Sequence, residues 1–299
     1  MFKKLLLSFV LIVGALLSIA LIRTLMHSAP EPTVNVGLTA DIDGEAAINN
    51  LAASIRFKTI SHQDKEKFSP QEFEGFIKWA ADTYPEFHSA MQLEMLEYTL
   101  LFKWEGSDNS LAPILLTAHY DVVPVIPGTE SIWEEEPFAG VISNNRIWGR
   151  GALDDKSGVV GMMEAATYLI KNNFQPTRTV YFSFGHDEEI GGENGAAALA
   201  QRMRELNLSF DWMVDEGGFV VRDTPLLPGR DLAMINVAEK GYVTLTLTTQ
   251  APGGHSSSPA KTGAIGTLAR ALERIESNPF EPKLVEPMRS ALTMMAAEM

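Results

Sequence analysis

The chain has 299 residues, 45% of them hydrophobic, and sets 24 Lys and Arg against 38 Asp and Glu, a formal charge of −14. That is enough chain to bury a core in one large or two medium domains, and an acidic surface with no basic run repels nucleic-acid phosphates. It contains no cysteine, which excludes disulfides, thiolate zinc sites and cysteine nucleophiles.

The N-terminal "MFKK" precedes an apolar run from Leu5 to Ile22. Eighteen helical residues span roughly 27 Å, close to a thin hydrocarbon core. Lys3 and Lys4 would stay cytoplasmic and send the rest of the chain outward. No small-x-small cleavage site follows the run, so residues 1–23 are read as an uncleaved anchor in preference to a cleaved signal peptide. The catalytic part is then expected outside the cytoplasm: periplasmic, extracellular or lumenal, and secreted if the segment is cleaved. Residues 24–43, with their prolines, read as a linker.

Residues 44–58 and 70–84 carry helical spacing. Leu93 to Lys103 alternates and reads as one strand, followed by the short apolar strand "PILLTAH". From Gly158 to Ile170 apolar residues recur almost all round, which predicts a buried helix. "TRTVYFSFG" reads as a strand, "NGAAALAQRMREL" as a helix and "FDWMVDEGG" as a strand with a glycine turn. Strands alternating with helices predict an α/β fold with a mostly parallel sheet, which binds ligands beyond its carboxyl strand ends. The pattern changes near Lys240, where a domain boundary is placed: 44–239 before it, 240–299 after. "YVTLTLTTQ" reads as a half-exposed strand and "GAIGTLARALERIE" as an amphipathic helix. One strand and one helix cannot close a core, so the chain is expected to be cut short. The Met-rich "MRSALTMMAAEM" reads as exposed core of a truncated helix rather than a cofactor site.

Four acid-bearing segments share one topology. His119 and Asp121 follow the strand "PILLTA", and Asp154 and Asp155 open the apolar helix. Glu188 and Glu189 follow "VYFSF", and Asp215 and Glu216 follow another strand. Singly, such pairs are caps or solvated loops. Four in order, glycine-flanked and at strand ends, gather carboxylates that repel unless a cation neutralises them. One His among carboxylates suits zinc or another divalent transition metal.

These segments resemble the dizinc hydrolases that include carboxypeptidase S, aminoacylase, succinyl-diaminopimelate desuccinylase and glutamate carboxypeptidase. "AHYDVVPV", "WGRGALDDKSG", "GHDEEIGG", "VDEGG" and "GGHSSSP" carry the resemblance, over roughly residues 45–280. The wording is most similar to the carboxypeptidase S branch, which includes makers and cleavers of N-fatty-acyl amino acids. The resemblance implies a zinc-peptidase-like sheet with flanking helices and an inserted α+β lid that forms a homodimer. It implies two Zn2+, with His119 on one and Asp121 orienting His119. Asp154 would bridge both metals, with a cis peptide to Asp155. Glu188 would be the general base, Glu189 a ligand of the second zinc, and either Asp215 or Glu216 the next ligand. His255 would reach the substrate oxyanion of a partner subunit. The implied reaction is hydrolysis of an amide to a C-terminal amino acid, in a small peptide or an N-acyl amino acid.

The family's pattern continues past this point, with a further His ligand and an Arg for the substrate carboxylate. No His follows His255, so this chain is expected to be a fragment with little activity. A dizinc aminopeptidase and a membrane-tethered non-catalytic relic are the competing readings. His186 either tunes the site or packs beside the strand end, and His27, His62 and His88 are read as surface or linker residues.

Overall fold

The computed structural model describes residues 2–26, 40–225, 227–255, 257–258, 261 and 263–296. His27 and most of the expected linker lie outside the described residues. Two compact units divide the chain, Gly37–Glu216 and Met1–Val36 with Gly217–Met299. The division falls at Glu216, ahead of the boundary expected near Lys240.

In chain order the elements begin with α1 (Phe2–Leu25), α2 (Gly44–Ile55), α3 (Pro70–Thr83) and α4 (Pro85–Ala90). Strands β1 (Gln92–Leu96), β2 (Thr99–Trp104), β3 (Ile114–His119), β4 (Val141–Ser143) and β5 (Arg146–Trp148) follow. Then come α5 (Lys156–Lys171), β6 (Val180–Gly185), α6 (Ala196–Glu205) and β7 (Met213–Val214). The chain continues through β8 (Val220–Thr224), β9 (Leu227–Ala233), α7 (Ala264–Ser277) and α8 (Glu286–Ala296). Local chemistry sets the starts. Asp43 accepts the Ala46 N–H at 3.0 Å to cap α2, and α3 opens on Pro70, whose missing N–H costs a first turn nothing.

The central sheet has the order β1-β2-β6-β3-β7. β3 is parallel to β6 and to β7, while β1 and β6 both run antiparallel to β2, so only β2 opposes the common direction. Side-chain alternation fills two faces. Leu100, Phe102, Ile114, Ala118, Phe182 and Phe184 share a core with α3, α4 and α5 residues, among them Phe73, Phe87 and Met163. Leu101, Leu115 and Tyr181 face the other way, onto Leu199 and Met203 of α6. Strands covered on both faces read as near-continuous apolar runs, as "PILLTA" and "VYFSF" do, broken only by Thr117 and Ser183.

Several expectations change. Leu93 to Lys103 is a hairpin, turning through Glu97 at φ 53 and Tyr98. Alternation continues with the same period on both sides of the two-residue turn, and no Gly or Asn marks it. A second hairpin, β4/β5, turns through Asn144 and Asn145 at φ 51 and 59, the left-handed pair such a turn requires. α5 is buried on one face only, through Val159, Val160, Met163 and Ala166, because Gly161 and Ala165 on the far side are small enough to face water. "YVTLTLTTQ" forms no strand. No described strand pairs with it, and Tyr242, Val243 and Leu245 lie exposed; an apolar strand face needs both a ladder and a cover. His88 is not a surface residue: it is half-buried against Phe87 and Phe102, and burial lowers its pKa.

In the other unit, α7 and α8 form as helices with Ile265, Leu272, Met288 and Met294 exposed. α1 contains a span, Leu6–Leu25, long and apolar enough to cross a membrane.

Candidate metal centre

The acid-bearing segments meet at the carboxyl ends of the parallel strands. His119 is the last residue of β3, and the following alternation turns Asp121 to the same side while Tyr120 goes into the core, stacked on Phe76 at 4.4 Å. Glu188 and Glu189 open a single 3-10 turn just past β6, and Glu216 comes two residues after β7. Asp154 stands in the turn that leads into α5, joined to Asp155 by a cis peptide.

His119 is buried, and its Nε2 lies 3.0 Å from Asp154 Oδ1 and 3.0 Å from Glu216 Oε2. Glu188 Oε2 is 3.8 Å away. The ligand-capable atoms of His119, Asp154 and Glu216 all fall within 4.8 Å of one another. Nδ1 faces the other way, 3.0 Å from the Asp121 carbonyl and 3.3 Å from its Oδ1. With Nδ1–H held there, Nε2 is left to a metal. One imidazole and two carboxylates form a donor set that suits zinc, so the residues present fit the metal.

Asp121 is fully buried and collects donors from two distant segments. Its Oδ2 accepts from Ser61 Oγ (2.6 Å) and from Glu189 N–H (3.2 Å), and its Oδ1 from Glu188 N–H (3.1 Å). Burial would raise this carboxyl, but the hydrogen bonds from His119 and Ser61 more than offset it and hold it below the usual range. Burial alone would lower His119, but Asp121 and Glu216 carry it up to about 12. Burial, with the Glu216 and Glu189 charges, pushes Glu188 up to about 7 against the pull of His119. Glu189 is raised by burial and by Asp154.

A metal at Nε2 would compete with a proton there. Zinc uptake near pH 7 is expected to release protons, chiefly the one on His119, so affinity rises with pH. Calorimetry in buffers of different ionisation enthalpy counts the protons; a count of zero would contradict this.

Of the sequence candidates, the structure brings together His119, Asp121, Asp154, Glu188 and Glu216. Neighbours in extended chain face apart. Of the pair left open, Glu216 is the one that reaches His119, while the Asp215 carboxylate accepts the Glu216 N–H at 2.9 Å. Glu189 is half-buried, beside Asp154 and outside the tight group. His255 is exposed and belongs to the other compact unit. His186 packs beside the strand end, buried, with Nδ1 2.7 Å from Thr99 Oγ1 and its ring edge-on to Phe73.

The model of the peptidase family M20/M25/M40 matches residues 115–296, which includes every one of these acidic segments. The chain belongs to this family. Among curated relatives of this M20 chain, a probable carboxypeptidase S-like 2 of Dictyostelium discoideum is 36% identical over 92% of this chain and 55% of its own length. The mouse N-fatty-acyl-amino acid synthase/hydrolase PM20D1 is 36% identical over 83% of this chain and 49% of its own. The chain thus spans about half the length of the curated relatives it matches. Human carnosine dipeptidase 1 aligns with a TM-score of 0.49 at 19% identity, over 60% of this chain and 40% of that one.

Sequence reasoning missed Ser61 and gave Lys156 no role. Ser61 is one of many serines and carries no motif. Lys156 stands inside "DDKSG", and a full burial of its ammonium is visible only in three dimensions.

Proposed function

We propose that this chain carries the metal-binding half of a zinc-dependent hydrolase that cleaves the amide bond to a C-terminal amino acid, in a small peptide or an N-acyl amino acid. The observation that carries the reading is the convergence of His119 Nε2, Asp154 and Glu216 with Glu188 standing 3.8 Å away. His119 and Glu216 would hold one zinc, Glu189 would hold a second, and Asp154 would bridge the two. When bound, zinc would supply a polarised carbonyl and a more acidic water. Glu188 accepts the proton of the attacking water and returns it to the leaving amine nitrogen. Asp121 keeps the imidazole in the tautomer that presents Nε2. His255 would stabilise oxyanion charge across a homodimer, and α1 would hold the enzyme to a membrane with Lys3 and Lys4 on the cytoplasmic side.

The test has two parts. Zinc should remain on the purified chain and be lost in His119→Ala, as measured by elemental analysis. In an enzyme that supplies the full ligand set, turnover should require a free carboxylate on the substrate and not a free amine. A requirement for the amine instead would favour an aminopeptidase and overturn the specificity.

A further inference from the structure

We propose that residues 54–61 form a brace that sets the spacing between the metal-ligating segments, with Lys156 and Ser61 as its two positioning residues. The inference rests on the metal-centre reading above. Lys156 is fully buried, an unusual place for a lysine unless its nitrogen is satisfied. Its Nζ donates to the carbonyls of Ser54 (2.9 Å) and Phe57 (2.7 Å) and stands 5.5 Å over the Phe76 ring. The Ser54 carbonyl lies in the last turn of α2 and that of Phe57 two residues past its end, where the helix dipole is negative.

The same lysine closes the turn that bears Asp154. Its backbone N–H donates to the Gly151 carbonyl at 3.1 Å. Gly151 has φ +80, and a Cβ there would meet Val122 Cγ1 at 2.6 Å, so the turn lies against the residue after Asp121. Asp155 caps α5 through the Gly158 N–H. Asp154 itself presents a mostly exposed side chain to His119. The turn's fixed point is therefore the buried lysine rather than the carboxylate.

The other end of the brace reaches the second ligand-bearing segment. Val122 N–H donates to the Thr59 carbonyl (2.9 Å), and Ser61 N–H to the Val122 carbonyl (3.3 Å). Ser61 Oγ then donates to Asp121 Oδ2 at 2.6 Å. One stretch of eight residues is thus tied to the Asp154 turn through Lys156 and to the His119–Asp121 segment through Ser61. An N-terminal segment with no ligand of its own sets the distance between two ligands.

Lys156→Met keeps the bulk of the side chain and removes the donors. Zinc affinity, measured by competition with a chromophoric chelator, should fall about 10- to 100-fold, and the visible spectrum of the Co2+ form should change. Tyr84→Phe is the control for general destabilisation: it removes the 2.8 Å bond to Glu164 elsewhere in the same unit, so it should lower the melting temperature and leave zinc affinity and the Co2+ spectrum alone. A folded Lys156→Met with unaltered affinity and spectrum overturns the brace. If Lys156→Met does not fold, Ser61→Ala decides: weaker zinc with a near-native melting temperature supports the brace, and unchanged affinity overturns it. An unaltered chain that binds no zinc would sink the metal-centre reading, and the brace with it.

Discussion

In an enzyme with a complete active site, Glu188→Gln is expected to cut amide turnover about 10²- to 10⁴-fold, the range lost with a general base, while zinc stays bound. The side chain is half-exposed, with its Oε2 3.8 Å from His119 Nε2. A carboxamide of the same size cannot take a proton from water. Glu189 comes next in the same 3-10 turn, is less exposed and sits beside Asp154. Glu189→Gln should therefore weaken zinc binding first and lower turnover as a consequence. Elemental analysis and turnover, measured on both variants against the unaltered enzyme with a complete active site, separate the two roles. Equal zinc content with equal residual activity in both would refute the division.

Asp121→Asn should be the most damaging isosteric change in the site. The carboxylate is fully buried and faces donors only: Ser61 O–H, the Glu188 and Glu189 N–H groups, and the Nδ1 side of His119. A carboxamide turns one acceptor into a donor, which then points at another donor whichever way it flips. Leaving buried polar groups unmatched beside a lost charge costs about 3–5 kcal/mol, read as a lower urea midpoint. Zinc affinity should fall about 10- to 100-fold as well, since His119 loses the partner that fixes its tautomer. Native stability together with native zinc affinity in the Asp121→Asn variant would show that the four contacts do not matter. The acid limb follows the same carboxyl. Its folded pKa is lowered, so its stabilisation is complete above about pH 4 and is lost as pH falls through the folded value.

The two variants act through one residue cluster by different routes. Glu188 is exposed enough to meet a substrate, so its loss is felt in turnover. Asp121 is sealed from water, so its loss is felt in folding and in the orientation of the groups around it. The distinction follows from burial, which no spacing in "HYD" or "DEE" reveals.

Much was legible in the sequence. An apolar run that is buried on both faces looks the same in one dimension as in three, so "PILLTAH" and "VYFSFG" could be placed as inner strands. Carboxylates at strand ends follow the chain's own order, so His119, Asp154 and Glu188 could be named with the metal they suit. What the sequence left open depends on pairing. Leu93 to Lys103 keeps one alternation through a turn that only the partner strand reveals, and "YVTLTLTTQ" has the pattern of a strand but no described neighbour to make it one. Asp215 and Glu216 are adjacent and both acidic, and only the direction of the chain beyond β7 brings Glu216 to His119. Ser61 and Lys156 are ordinary residues locally, and their contacts reach across 60 and about 100 residues of chain. Which chemistry is present was written in one dimension, because residue types and their order carry it. Which groups share a proton, a metal or a buried hydrogen bond emerged only on folding, because those energies depend on distances and burial that fall off within a few ångströms.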